Sequence, residues 1–363
     1  MKTHSLSRIA GALVVALGLS TSVVTTDVLA NTTTSAIKGQ IAGPQGNPAA
    51  GTKITITHVP SGTTKTATVN AAGIFVSQGL RVGGPYTVTV DSDKFEDTKV
   101  NNIFLTLGET YPMNVALNSQ SDLETIVVTG RPLSMHAGGT GPASHFSADD
   151  LKSAPSINRD LKDIVRIDPR IYIDESRSDA IQCGGGSPRF NSLTVDGVRM
   201  NDSFGLNDNG YPTTRIPFSY DSIDQVSVEL APFDVQYGGF TSCNINAVTK
   251  SGGNDIHGGV FYDYTNDSMK GDKIEGNDVD NGDYSEKRYG FNVGLPLIND
   301  TLFLFTSYEK LEGVKQFNYS SLVSSADIER IKQITRDVYG YEAGATPASS
   351  PVEDEKILVK LDW

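Results

Sequence analysis

Few residues in this sequence could carry chemistry, and their spacing gives no catalytic set. The five histidines show neither zinc-ligand spacing nor a His-Glu-x-x-His motif. Gly184–Gly186 is a glycine run, but no Lys-Ser or Lys-Thr follows it as in a phosphate-binding loop. No Gly-x-Ser-x-Gly nucleophile motif occurs either. We therefore predict a protein that is not an enzyme and that holds no cofactor and no metal.

The acidic residues indicate a solvated surface. The chain has a formal net charge of -13, which argues against nucleic acid and anionic lipid surfaces as partners. Six of the acidic side chains fall between residues 267 and 283. Calcium binding is one interpretation of this cluster, but Gly282 stands at the wrong position for an EF-hand loop. We therefore predict that the cluster belongs to an exposed loop.

The first 30 residues have the composition of a secretory signal peptide. Lys2 and Arg8 form a positive region ahead of the apolar stretch Ile9–Leu19. This stretch is too short to span a bilayer as a helix. Ala30 suits the last position before a cleavage site, so we predict that the mature chain begins at Asn31. A buried helix is the alternative interpretation of this segment.

Export bears directly on the two cysteines, Cys183 and Cys243, which are 60 positions apart. An oxidising compartment favours their pairing. A disulfide that closes a loop of this length contributes about 4 kcal/mol in the chain-entropy model. Two unpaired thiols are the alternative, because spacing alone does not show whether the side chains can meet. The prediction is a structural disulfide.

Residues 31–118 have the pattern of a small β-sandwich. Short alternating segments recur about every ten residues between positions 37 and 117, with Gly-, Pro- and Asn-rich turns between them. The motif Ile37-x-Gly39, the turn at 70–75 and the strand start at 84–88 resemble the carboxypeptidase regulatory-like domain. The resemblance implies a transthyretin-like fold and a non-catalytic appendage.

Residues 119–145 change to polar and small residues around one β-branched segment, Glu124-Thr125-Ile126-Val127-Val128. A lone segment of this kind suits strand addition to another protein, because main-chain hydrogen bonds supply the affinity. The segment resembles the TonB box of outer-membrane receptors, which implies the periplasmic protein TonB as a partner. An ordinary edge strand of the preceding sandwich is the alternative.

Residues 146–252 have an α+β pattern. Ser147 is a candidate cap for a helix that begins at Ala148. A second short helix is predicted over Ile157–Ile167, ahead of Asp168-Pro169. The Asp196-Gly197 pair predicts the tight turn of a hairpin. These elements predict a small mixed domain between the linker and the residues that follow.

This unit resembles the plug domain of TonB-dependent receptors, and its sequence around Asp168-Pro169-Arg170 is most similar to the Oar-like branch. Three plug motifs occur in order, at 191–197, 231–239 and 245–250. Some positions depart from the family pattern. Gln225 and Ser227 stand where Arg and Glu are usual, Ala231 stands where Gly is usual, and Ser242-Cys243 replaces Gly-Gly. The departures put siderophore-receptor contacts in doubt for this chain.

Residues 253–363 predict the first strands of a transmembrane β-barrel. Apolar and polar side chains alternate over 260–264, 289–295 and 357–363, as lipid-facing strands require. The segment Thr301–Leu311 is apolar on both faces and fits less well. Only about four strands fit before Trp363, against about 22 in plugged transporters. The predicted fold is mostly β, with a sandwich, an α+β plug and the start of a truncated barrel, so we expect a fragment or a truncated gene product.

The resemblance implies a receptor in the outer membrane of a Gram-negative bacterium, with its barrel in lipid and its N-terminal domain in the periplasm. Such a receptor imports a ligand through a plugged barrel with energy delivered by TonB. The ligand is left open between an oligosaccharide, a peptide or larger polypeptide, and a metal chelate. The predicted ligand contacts are Arg189, Phe190, Asn207, Asp208 and Tyr211. The alternative is an outer-membrane-anchored module that binds carbohydrate or protein for adhesion.

Overall fold

The chain forms three β units in sequence. The computed structural model describes residues 33–119, 142–154, 156, 158–202, 204–232, 237–278, 283–316, 323–344 and 349–363, together with the backbone of 127–128. The predicted signal peptide, residues 1–30, lies outside these ranges. Among the described residues, no helix is both long and apolar enough to cross a membrane.

The N-terminal unit consists of two sheets that share one apolar core. Its strands are β1 Thr34–Ala42, β2 Lys53–His58, β3 Thr64–Thr68, β4 Ile74–Arg81, β5 Gly83–Asp91, β6 Thr98–Leu105, β7 Thr110–Ala116 and β8 Val127–Val128, with a 3-10 turn at Pro44–Gly46. The strand orders are β4-β1-β7 and β3-β2-β5-β6-β8. Alternate residues such as Ile54, Val88 and Ile103 are fully buried between the sheets. The predicted sandwich is present.

Strand β6 is the one sandwich strand of substantial length that the sequence pattern does not predict. Asn101 and Asn102 interrupt its alternation, and Asn102 adopts a left-handed backbone with φ 61°. The register of β6 against β5 shifts on either side of Tyr86. A bulge of this kind inserts an extra residue and breaks the period of two on which strand prediction relies.

The second unit is a small α+β domain around a five-stranded sheet. Its elements are β9 Ala143–Phe146, α1 Ala148–Ser153, α2 Leu161–Val165, β10 Ile171–Asp174, β11 Ala180–Cys183, β12 Ser192–Val195, β13 Val198–Arg199, β14 Ile223–Leu230 and β15 Cys243–Thr249, with 3-10 turns at Glu175–Arg177, Pro188–Phe190 and Tyr220–Ser222. The sheet order is β13-β12-β15-β14-β9, and β10 pairs separately with β11. The sheet and both helices enclose the largest apolar core of the chain.

The helix starts in this unit follow their caps. Ser147 and Asp150 form a reciprocal capping box, which confirms the predicted start of α1 at Ala148. The second helix begins at Leu161 instead of Ile157, so the longer predicted helix is wrong. Arg159 has a left-handed φ of 50°, and the Asp160 carboxylate accepts a hydrogen bond from the Lys162 amide. A left-handed residue followed by a side-chain cap sets the later start.

One turn of the unit has the geometry that its residues predict. Asp196 and Gly197 both have positive φ, 48° and 79°, which is the geometry of the predicted two-residue hairpin turn between β12 and β13.

Strand β9 begins inside the predicted linker of residues 119–145. It pairs antiparallel with β14, Phe146 opposite Val226. Its Ala-Ser-His-Phe sequence has little strand propensity, so pairing with β14 is what makes it a strand.

The third unit is a four-stranded antiparallel sheet of long strands. Its elements are β16 His257–Asn266, β17 Lys273–Ile274, β18 Asn277–Asp278, β19 Ser285–Ile298, β20 Leu302–Gln316, α3 Ser325–Tyr339 and β21 Ser349–Asp362, with a 3-10 turn at Asp267–Met269. The order β16-β19-β20-β21 follows the chain. The helix α3, which the sequence analysis does not predict, begins at the Ser324 cap and ends at the left-handed Gly340.

The faces of these strands agree with the predicted alternation. Val260 on β16 is 86% exposed and Ile357 on β21 is 70% exposed, as lipid-facing side chains would be. On β20 the apolar side chains of Phe303 and Phe305 are fully buried on the opposite face. Strand β20 thus carries apolar side chains on a buried face as well as on a partly exposed face.

Candidate functional site

The last two residues of the predicted TonB box lie on the edge of the sandwich. Val127–Val128 form β8 and pair in parallel with Lys99 and Val100 of β6. Residues 124–126 lie outside the described part of the chain. The described pairing covers two residues of β8. The coupling role of the segment is taken up below as a proposal.

The two cysteines form the predicted disulfide. Cys183 at the end of β11 is bonded to Cys243 at the start of β15, with the Cα atoms 5.9 Å apart. The Ser242 hydroxyl donates a 3.0 Å hydrogen bond to the Cys183 carbonyl beside the bridge. The bond fastens the separate β10–β11 hairpin to the central sheet. It also holds the glycine run at 184–186 near the loops that precede β12.

One loop of the second unit is organised around a single carboxylate. Asp202 accepts hydrogen bonds from the amides of Phe204, Gly205 and Asn207 at 3.1, 3.0 and 2.7 Å. These amides, the Asn207 amide first, lower the pKa of Asp202 because they stabilise the ionised carboxylate. The Arg189 guanidinium donates to the Gly205 carbonyl at 2.8 Å. The loop therefore has a defined shape although it lies at the surface.

Four of the five predicted ligand contacts gather around this loop. Arg189 and Phe190 are exposed at the turn before β12. Asp208 is exposed and lies 3.7 Å from the Arg177 guanidinium. The half-buried Asn207 donates from its side-chain amide to the Tyr211 carbonyl. The structure brings these residues to one surface. It does not show a ligand, and their binding role stays a prediction.

Tyr211 is a correction to the predicted set. Its side chain is only 2% exposed and belongs to the plug core. Its hydroxyl donates to the Asp160 carboxylate at 3.0 Å, and the Lys162 ammonium lies 5.0 Å from its ring centre. Burial raises the pKa of Tyr211 well above its usual range. A ligand at the surface cannot reach this side chain, so Tyr211 positions the loop instead.

The sequence analysis does not predict two strongly exposed apolar residues of this loop. Phe204 is 87% exposed and Leu206 is 83% exposed, on the loop that Asp202 organises. The available signal was the order Asp-x-x-Gly at 202–205, since Asp commonly accepts from backbone amides in such turns. Hydrophobic patterning could not have found them, because apolar residues are normally assigned to a core.

The second unit contacts the inward face of the long strands through a buried polar network. Glu309 on β20 pairs with Lys356 on β21 at 2.9 Å between Oε1 and Nζ. The Ser219 hydroxyl of the second unit donates to Oε2 of Glu309 at 2.8 Å. All three side chains are buried. Such a pair is tolerated away from water only when its hydrogen bonds are met, so the network fixes the contact to one position.

Further contacts join the same two units along the strands. Arg159 pairs with Asp221 within the second unit and also lies over the ring of Phe261 on β16, 3.7 Å from the ring centre. Arg215 lies 3.3 Å from Glu286 on β19. The Lys360 ammonium on β21 donates to the Thr249 carbonyl at 3.0 Å. The domain is thus seated against all four strands, mainly through charged and polar groups.

Ala231 is a departure from the family pattern that has a structural cost. It adopts a left-handed backbone with φ 46° just after β14. Glycine populates this region without strain, whereas a Cβ makes it unfavourable. The glycine that the plug family usually has at this position is therefore what the backbone favours. Within the described residues, no group of three or more metal-ligating side chains gathers.

Comparisons with known proteins match all three units. The carboxypeptidase regulatory-like domain matches residues 36–118, the TonB-dependent receptor plug domain matches residues 137–242, and an outer-membrane β-barrel domain matches residues 248–345. The TonB-dependent transporter Oar of Myxococcus xanthus is 24% identical over 240 residues, which cover 62% of this chain. A probable TonB-dependent siderophore receptor, PirA of Acinetobacter baumannii, is 30% identical over 205 residues, which cover 52% of it.

The chain spans 22% and 25% of the length of these two relatives. Similar solved structures include the outer-membrane transporter YddB of Escherichia coli, with a TM-score of 0.43, 16% identity and coverage of 63% of this chain and 32% of that one. PirA of Acinetobacter baumannii has a TM-score of 0.38 and 23% identity, with 48% and 25% covered.

A regulatory-like sandwich, a plug domain and outer-membrane barrel strands therefore follow one another along the chain. The matched domains and relatives support a TonB-dependent receptor. Its match to Oar agrees with the Oar-like resemblance of its plug motifs. The plug and barrel domains place the protein in the outer membrane of a Gram-negative bacterium.

Proposed function

We propose that the protein acts in TonB-dependent import, with the plug as the gate and Glu124–Val128 as the segment that TonB engages. The observation that carries this proposal is the seating of the plug on the strands through Ser219, Glu309 and Lys356. A gate needs contacts that hold it in place yet can be exchanged. Polar contacts meet this need, because water can replace each hydrogen bond when the plug moves.

Residues 1–30 are proposed to direct export and to be removed. Relatives described as transporters favour import over the alternative of an anchored module that binds carbohydrate or protein. The sandwich then serves the transporter and is not itself the binding unit.

The proposed ligand surface is the loop that Asp202 organises, with Arg189, Phe190, Asn207 and Asp208 around it. Phe204 offers an exposed aromatic ring on the same loop. A guanidinium, a carboxylate, an amide and aromatic rings together suit a ligand with both apolar and hydrogen-bonding groups. An oligosaccharide or a peptide has this character, and either is consistent with the surface.

Binding of the C-terminal domain of TonB tests the coupling role. Calorimetry should detect binding to the chain and no binding to Ile126→Pro, because proline removes a main-chain donor from the added strand. Met135→Pro is the matched control, since it changes the same linker outside the box. Equal binding by both variants, or none by the unmodified chain, would contradict the proposal.

A further inference from the structure

A glutamine side chain of the plug hydrogen-bonds to two main-chain groups of the sandwich, as a neighbouring strand would. Gln225 on β14 donates from Nε2 to the Leu105 carbonyl at 3.1 Å, and its Oε1 accepts from the Leu107 amide at 3.0 Å. Gln225 is buried, as are both hydrogen bonds. The two main-chain groups lie two residues apart, as in a β-ladder. Leucine of similar size could fill the space but could make neither bond.

An apolar contact lies beside this glutamine. Val82 and Leu107 of the sandwich are buried against Val248 of the plug, and the three form a cluster separate from both domain cores. On an isolated sandwich, Val82 and Leu107 would lose the cover that Val248 gives them. The sandwich therefore presents a small apolar surface that the plug completes. We refer to Val82, Leu105–Leu107, Gln225 and Val248 as the docking interface.

The sandwich also contacts the base of the barrel strands. The Arg81 guanidinium donates to the Gly252 carbonyl at 3.3 Å and lies 3.8 Å from Asp362 on β21. The Asn254 amide donates to the Pro60 carbonyl at 2.7 Å. The Asn254 side chain in turn bonds to Asp300 in the short turn between β19 and β20. Short turns of such barrels face the periplasm, so these contacts lie at the periplasmic end.

A cavity of about 1200 Å³ lies where the three units meet. Its walls include Arg81 and Glu109 of the sandwich, Asp224 and Lys250 of the plug, and Lys360 of β21. The lining mixes these charged side chains with apolar ones such as Val82, Phe104 and Ile167. The sandwich forms one wall of this space, so its removal would open the cavity to the periplasm.

We propose that the N-terminal sandwich is a periplasmic lid, held by Gln225 on the plug and by Arg81 at the barrel base, and that it undocks as a unit when the plug moves. The sandwich touches both the plug and the strands, which are the two bodies that must separate along an import path. A lid docked on both resists that separation until it is released. The link to import rests on the proposed function, whereas the docking itself can be tested without it.

Hydrogen exchange of the Leu107 amide tests the latch in the intact chain. In the unmodified protein this amide donates to Gln225 and is buried at the docking interface. Gln225→Leu should speed its exchange by about tenfold or more, because undocking exposes the amide to water. Gln182→Leu is the matched control, since that glutamine bonds to Asp174 inside the plug. Unchanged exchange in Gln225→Leu would overturn the proposal.

Amides of β5 separate undocking from unfolding. Their exchange should stay slow in Gln225→Leu, because they pair with β2 and β6 inside the sandwich. Equal acceleration in β5 and at Leu107 would mean that the sandwich unfolds, which also contradicts a lid that moves as a unit.

An engineered disulfide supplies the second test. A Cβ placed on Gly253 lies 3.8 Å from the Pro60 Cβ, close to the separation of about 3.8 Å found in disulfides. It also lies 2.9 Å from the Pro60 carbonyl oxygen, so the backbone has to shift slightly to accept the bridge. Oxidised Pro60→Cys/Gly253→Cys should restore slow Leu107 exchange in the Gln225→Leu background. Persistent fast exchange under the closed bridge would count against docking at this interface.

The same pair of cysteines reports on the lid in cells. Bridge formation should be slower in cells with a proton gradient than in cells treated with a protonophore, because an undocked lid separates the two thiols. Equal rates, in cells where TonB binds the box, would overturn release of the lid. Loss of TonB binding would instead remove the proposed function, and the exchange of Leu107 would still decide whether Gln225 holds the sandwich.

Discussion

The ion pair of Asp168 with Arg170 should make the stability of the plug depend on pH below 4. The Asp168 carboxylate accepts hydrogen bonds from the Arg170 amide at 2.9 Å, from its Nε at 2.9 Å and from its Nη2 at 2.6 Å. Nη2 also reaches the Ser144 hydroxyl on β9 at 2.8 Å. The pair therefore ties the end of α2 to the edge of the plug sheet. Asp168 itself is buried.

The Arg170 side chain, through these hydrogen bonds, lowers the pKa of Asp168 from 3.8 to about 2. Each unit of such a shift corresponds to about 1.4 kcal/mol, so the pair contributes about 2 kcal/mol to folding. Because the folded-state pKa lies below the unfolded value, the contribution is complete above the unfolded pKa. It is lost as the pH falls through the folded value. The window for this loss runs from 3.8 down to about 2.

Asp168→Asn keeps the shape of the side chain and removes its charge. The variant should lose about 2 kcal/mol of plug stability at pH 7 and should match the unmodified protein near pH 2. Urea unfolding at pH 7 and near pH 2 measures the stability of the plug, and the hydrogen exchange of peptides from β14 serves as its signal. Asp149→Asn, at an exposed side chain of α1, should change stability by less than about 0.5 kcal/mol. A loss in Asp168→Asn that is the same at both pH values would refute the reasoning.

Three further predictions concern the plug and its contact with the long strands. Glu309→Gln should weaken the seating of the plug by about 1 to 2 kcal/mol in urea titrations, because Lys356 stays buried with Asp354 as its remaining carboxylate partner. Glu309→Gln/Lys356→Met should recover part of that loss, and a double variant weaker than the single would contradict this account. Ala231→Gly should raise plug stability by about 1 kcal/mol by relieving its left-handed backbone, and no gain would argue against that strain. Cys183→Ser should lower the urea midpoint of the plug by the equivalent of about 2 to 4 kcal/mol, and an unchanged midpoint would mean that the bridge does not support the fold.

The elements that the sequence predicted well are those with a strong local pattern. Val260 and Ile357 face outwards as expected, because alternation is imposed by a boundary between lipid and protein. The turn at Asp196-Gly197 and the cap at Ser147 are likewise local, since each depends on residues within one turn. Such features are visible in a sequence because the residues that cause them are neighbours.

The elements that the sequence analysis missed depend on contacts between residues that are far apart in the sequence. Strand β9 exists because β14 pairs with it, and β14 begins about 80 positions later. Tyr211 looked like a surface residue of a polar loop, but Asp160 and Lys162 draw it into the core. Gln225 looked like a neutral departure from a motif, and its partners Leu105 and Leu107 belong to another domain. No local pattern records pairings of this kind.

The central claim is that Glu124–Val128 is the segment that TonB engages. A photo-crosslinking residue at position 126, in cells producing the protein, reads out that contact at one site. The account predicts an adduct with TonB at Ile126 and a much weaker one at Met135 in the same linker, because only the box adds to TonB as a strand. Adducts of equal yield at both positions, or no TonB adduct at Ile126, would contradict the account.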